Sequence, residues 1–259
     1  VEQAEMVRFL AGKADDPGLA AQASALMGRA MMALGQIEQG RSVLDQAFQA
    51  AERTHNAEAI RITVIGNAGT AALLGEPESA IRWAARYSGD APNPQILGET
   101  DLAVAVALAL LQRGAVTEAG SHLQWLDTVP GQANHNARAI EAVIAAASGD
   151  LALARRRSDE VIGRTAATYI DQTFAHLALA AVHRRNDDLD ACERAINEAR
   201  MCSAGTDDVL MPLIVSMAEA VFGLGNLPHT EVRFRGLGLE PEGWRHAWSH
   251  AVAGGAVYA

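Results

Sequence analysis

Ala142-Val143-Ile144-Ala145-Ala146-Ala147-Ser148-Gly149-Asp150-Leu151-Ala152-Leu153-Ala154 reads as the end of one helix, a tight turn and the start of another. Alanine, the best helix former, dominates both sides. Gly149 suits the positive-φ conformation that commonly ends a helix, because it has no Cβ to clash. Leu151 then begins the packing of the second helix, and Ala154 is small enough to let the two helices touch.

The same punctuation recurs along the chain, and a recurring period is the signature of a repeat architecture. Gly35, Gly75, Gly114, Gly149, Asp187 and Gly225 each close an apolar-periodic stretch, 35 to 40 residues apart. Two residues after each mark stand Ile37, Pro77, Val116, Leu151, Leu189 and Leu227. Five residues after come the short side chains of Gly40, Ala80, Ala119, Ala154, Cys192 and Thr230. Seven residues before are Gly28, Ala68, Ala107, Ala142, Ala180 and Ala218. Small residues at two fixed positions are where paired helices meet. A single helix–turn–helix unit cannot bury its apolar face alone, so its neighbours must stack on it.

A small residue, a Gly-Asp-like turn, an apolar residue and a second small residue together resemble the tetratricopeptide repeat. Gly149-Asp150-Leu151 through Ala154 and Asp187-Asp188-Leu189 carry the turn, and Leu19 to Thr54 form the clearest whole repeat. The resemblance implies an all-α, right-handed α-solenoid of about six helix–turn–helix repeats with a period of about 38 residues. That period exceeds the family's usual one, and the family's large aromatics are mostly missing. In both respects the chain is similar to the degenerate repeats of bacterial signalling ATPases and large transcription regulators. The expected single repeat domain divides into a partial repeat (1–18), six repeats (19–239) and a capping helix with its tail (240–259). Glu2 to Ala11 read as the lone second helix of a cut repeat, as though the chain were excised from something longer. At the other end Trp244, Trp248 and Val252 form one stripe of a last helix, expected to cover the open end of the final repeat. The tail Gly254-Gly255-Ala256 is expected to fray.

Composition narrows the function. Apolar residues make up 49% of the chain, enough to bury a core, and aromatics only 5%. The formal net charge of −10 opposes direct nucleic-acid binding, which needs clustered Lys and Arg. Arg155-Arg156-Arg157 is a local exception and reads as a solvated helix face. The longest apolar stretch, Leu102 to Leu111, is about half the length a bilayer crossing needs. No signal-peptide order begins the chain. The expectation is a soluble, cytoplasmic protein, not membrane-bound, and the excess of arginine over the single lysine, Lys13, suggests bacterial high-GC coding. Lys13 lacks the neighbours of a phosphate-binding loop. Cys192 and Cys202 suit neither a disulfide framework nor a zinc site.

Candidate catalytic groups do not assemble in the sequence. His246 and His250 have the spacing of two ligands on one helix face, but Ala247 stands where a zinc hydrolase would place its general base. Asp187, Asp188 and Asp190 fall on a repeat turn, and His176 and His183 share a helix face with no acid or nucleophile in a completing position. No catalytic residue, metal or cofactor is expected.

The resemblance implies that the first helix of each pair lines a concave groove. Positions thirteen, ten, six and three before each mark then face inward, giving a mostly apolar wall that includes Ile65, Val104, Leu111, Val143, Leu177, Val215 and Phe222. Leu108 and Phe174 are the expected anchors, and Arg29, Asp101, Asn136, Arg184 and Glu219 the specificity contacts for a protein, peptide or small-molecule partner. Two arrangements remain open: a groove that receives a partner, and a tightly wound array in which these residues bury one another. So do three functions: the sensor or docking region of a larger regulator, a free-standing scaffold that self-associates through its N-terminal end, and an all-α enzyme.

Overall fold

The computed structural model describes residues 2–13, 16–87, 99–124 and 134–254. Among the described residues the chain is all-helical, with no strand. The order is α1 (Glu2–Lys13), α2 (Pro17–Ala33), α3 (Ile37–Thr54), α4 (Ala57–Leu73), α5 (Pro77–Ala84), α6 (Glu99–Gln112) and α7 (Val116–Leu123). There follow α8 (His135–Ser148), α9 (Leu151–Asp159), α10 (Tyr169–Arg185), α11 (Leu189–Ser203), α12 (Leu210–Val221), α13 (Leu227–Gly236) and α14 (Glu242–Ala253). Residues 255–259, which hold most of the expected frayed tail, lie outside the described residues. Among the described residues no helix is long and apolar enough to cross a membrane.

From α2 onward the helices pack in consecutive pairs, and each first helix also packs on the first helix of the next pair. The twelve small or short residues at the two fixed positions are all buried. At Gly28 an added Cβ would stand 2.9 Å from the Gly40 carbonyl oxygen, so the α2/α3 crossing depends on two glycines facing each other. The turns share a local mechanism. Gly35, Gly75 and Gly114 all have φ of 81°, and Asp187 takes the same left-handed region at 57°. The residue after each donates its N–H five residues back, as Gln36 does to Met31 and Asp188 to His183, so that carbonyls of the last helical turn are satisfied. Asp150, Asp188 and Asn226 then cap the following helices through their side chains.

The sixth turn departs from the sequence reading. Its positive-φ residue is Gly223, not Gly225, and α12 ends at Val221 while α13 still begins at Leu227. Residues 222–226 form this connection, which is longer than the two or three residues of the other turns.

Side chains also tie first helices together in phase. Gln112 Nε2 donates to the Ala72 carbonyl at 2.8 Å, and Arg185 Nη1 to the Ala146 carbonyl at 2.9 Å. Each donor stands two residues before its own turn mark and each acceptor three before the preceding one. The row bends until the Val209 N–H donates to the Ala33 carbonyl at 2.8 Å, joining the start of α12 to the end of α2.

The last helix corrects an expectation. Rather than covering the end of the final pair, α14 packs across α6, α8, α10 and α12. Trp244 and Trp248 are both fully buried, and Phe174 stacks on them with ring centroids 5.7 and 6.4 Å away. Phe222 meets Trp248 edge-on at 6.1 Å. The Trp244 indole N–H donates to the Leu73 carbonyl at 3.0 Å, reaching α4 as well. The reason is area: an apolar stripe of two tryptophans buries more surface between the first helices than at one exposed end. Arg157 is a second correction. It is buried, not part of a solvated basic face, and is paired with Glu141 on α8 and Glu160, which Arg138 also contacts. Arg155 and Arg156 stay exposed.

The two tryptophans differ in one respect. Trp244 Nε1 has an acceptor, whereas Trp248 Nε1 is buried without one. Losing a real hydrogen bond costs about 1 kcal/mol, while removing an unpaired buried donor relieves a penalty. Chemical denaturation should therefore show Trp244→Phe more destabilised than Trp248→Phe, by about 1–2 kcal/mol. Equal losses would contradict the placement of α14.

Candidate functional site

With α14 in place the inner surface divides into two parts. Leu111, Val143, Leu177, Val215 and Phe222 belong to the buried core, with Phe222 packed against Trp248. Toward the N-terminal ends of α6, α8 and α10 the same surface stays open as a pocket of about 160 Å³. Five of the seven residues expected to make the site line it: Arg29, Asp101, Leu108, Asn136 and Phe174. They come from α2, α6, α8 and α10, with α4 contributing Ile65, Gly69, Ala72 and Leu73. Phe174 is shared, presenting one side to the pocket while its ring stacks on Trp244.

The polar groups are few and differently placed. Arg29 and Asp101 keep substantial solvent contact at the mouth. The surrounding protein is still dense enough that burial pushes the Asp101 carboxyl above the usual carboxylate range. The positive charge of Arg29 opposes that shift and the negative charge of Asp171 adds to it. Asn136 is half-buried, and in its assigned orientation Oδ1 is buried with no hydrogen-bond donor. Leu108 and Phe174 are nearly inaccessible, at 3% and 2% exposure, so the pocket is a narrow slot rather than an open trough.

Arg184 and Glu219 are not part of it. Arg184 Nε donates at 2.9 Å to the Phe222 carbonyl at the end of α12, a tie between neighbouring first helices. Glu219 pairs with Arg200 of α11 at 2.9 Å. Both make contacts within the helical array, outside the pocket.

The small pocket residues Gly69, Ala72 and Ala105 were not singled out in the sequence, yet they create the space. Gly69 stands six residues before Gly75, at a position that carries Leu108 and Val143 in two other repeats. A glycine at an inward helical position was the available signal.

The histidines lie elsewhere. Burial lowers His176 and His183, and the charges they feel, Glu198 for one and Arg155, Asp188 and Arg194 for the other, come from neighbouring hairpin helices. Burial also lowers His250, which sits against the turn at Gly114. Exposed His246 lines a wide surface hollow of about 730 Å³ with Glu76, Glu78, Glu240 and Glu242. Among the described residues no three His, Cys, Asp or Glu side chains are grouped to hold a metal ion. Burial raises the Cys192 thiol to about 11, so it stays protonated and unreactive at neutral pH.

Because Arg184 joins α10 to the end of α12, Arg184→Ala should lower the thermal midpoint, at a cost of about 1 kcal/mol in stability. Ligand binding at the pocket should be unchanged in a titration of the same variant. An unaltered melt with weakened binding would return Arg184 to the site. No family model, curated protein or solved structure matches this chain.

Proposed function

We propose that this chain is a non-catalytic binding module, a right-handed α-solenoid of six tetratricopeptide-like hairpins that receives a compact organic ligand or a peptide side chain. Its biological place is as the sensor or partner-docking region of a larger bacterial regulatory protein in the cytoplasm. The observation that carries this reading is the pocket, drawn from five successive first helices mainly through positions in phase with the repeat. Apolar walls with a small number of convergent polar groups suit recognition of a small molecule. Among the described residues the titratable side chains lining the pocket are Arg29 and Asp101, which form no nucleophile–base pair. That favours binding over catalysis. Self-association through the N-terminal end is a second reading, favoured by Met6 and Leu10 of α1, which are 58% and 55% exposed.

Gly69 offers a direct test, since an added Cβ there would meet nothing within 4 Å. Gly69→Leu should fill the pocket and keep the fold, gaining about 0.5–1 kcal/mol from helix propensity. Compact aliphatic probes should raise the thermal midpoint of the wild type and lose that effect on Gly69→Leu. An equal response in both proteins, or none in either, would sink the proposal.

A further inference from the structure

Among the described residues two side-chain acceptor groups line the pocket, the Asn136 amide oxygen and the Asp101 carboxylate. Asn136 Oδ1 lines the pocket, buried and unpartnered. Asp101 stands at the mouth on α6. Asp171, one turn before Phe174 and beside the lining residue Ile170, is 4% exposed. Its Oδ2 accepts from the Thr168 N–H at 2.8 Å, while Oδ1 is buried with no donor. The charge of Asp171 reaches Asp101, so the two carboxylates share one region. Arg29 also acts on Asp101 through its charge, but no ion pair joins them. Asp171 is not among the lining residues, so its charge acts on Asp101 from outside the pocket, and Asn136 Oδ1 is the lining oxygen that lacks a donor.

A ligand group that meets both Asn136 Oδ1 and the Asp101 carboxylate must donate hydrogen bonds, and a positive charge on it strengthens the contact to the carboxylate. A primary ammonium has three donors and no acceptor, and its hydrogen bonds to carboxylates are the strong, charge-assisted kind. The remaining walls, Val104, Leu108, Ile140 and Phe174, are apolar. A volume of about 160 Å³ is close to that of a cavity known to hold benzene, which limits the rest of the ligand to a compact body.

We infer that the pocket binds a protonated primary amine on a compact apolar body, with the ammonium between Asp101 and Asn136 and the body against Leu108 and Phe174. This rests on the pocket being a ligand site, as proposed above. The amine could belong to a simple alkylamine or to an α-amino acid, whose carboxylate would then meet Arg29.

Calorimetric titration with isoamylamine, isoamyl alcohol and L-leucine, all of similar apolar bulk, separates these cases. Isoamylamine should bind at least about tenfold more tightly than isoamyl alcohol, the margin of one charge-assisted contact. Asp101→Asn should remove most of that margin and leave the alcohol unchanged. Leucine binding as tightly as the amine would identify an amino acid, and weaker leucine binding a simple amine; either keeps the ammonium assignment. An alcohol that binds as well as the amine would overturn the assignment while leaving the pocket a ligand site. Absence of binding by all three, with no effect of Gly69→Leu, would remove the ligand site as well.

Discussion

The stack of Trp244 and Trp248 on Phe174 and Phe222 is the interaction on which the arrangement of the inner surface depends. Each aromatic pair of this kind adds about 0.5–1.5 kcal/mol beyond the burial of its area. The larger effect is geometric, because α14 touches four first helices and reaches a fifth through one hydrogen bond. Neighbouring first helices pack directly on one another, with side-chain ties such as Gln112 to Ala72 and Arg185 to Ala146. A helix lying across several of them couples hairpins distant in sequence, and Val209 bonded to Ala33 closes the row from the other side.

The pocket exists because this filling is incomplete. Phe174 is the boundary: one side belongs to the tryptophan stack and the other to the open slot. Beyond it the chain places a glycine and two alanines where larger inward residues could stand, at Gly69, Ala72 and Ala105. Buried polar atoms are normally paired, and the unpaired Oδ1 of Asn136 in the lining of that slot is the exception on which the ligand proposal rests. Asp171 Oδ1, Trp248 Nε1 and Gln112 Oε1 are also unpaired, but these residues do not line the slot.

Much of this was legible from residue spacing. Gly35, Gly75, Gly114, Gly149 and Asp187 marked turns because a positive φ selects glycine or aspartate, a strictly local constraint. Counting back from those marks placed Arg29, Asp101, Leu108, Asn136 and Phe174 on one surface, and they meet there. Of the positions counted back from Gly225, Val215 and Phe222 lie in the inner core while Glu219 pairs with Arg200 of α11, outside the pocket. Arg184 is also outside the pocket, and its reach to the Phe222 carbonyl depends on the neighbouring hairpin rather than its own helix. The position of α14 was least legible. A Trp244/Trp248 stripe says that one face is buried but not against what, and that is set by contacts about 170 residues apart, such as Trp244 to Leu73.

Native-state hydrogen exchange on α14 is the most direct test of the central claim, that this helix is part of the core between the first helices. The amides of Ala247, Trp248 and Ala251 should exchange only through global unfolding, with the same protection as those of Ala142 to Ala146 in α8. Protection of α14 well below that of α8, lost through local fraying of the C-terminal end, would contradict it.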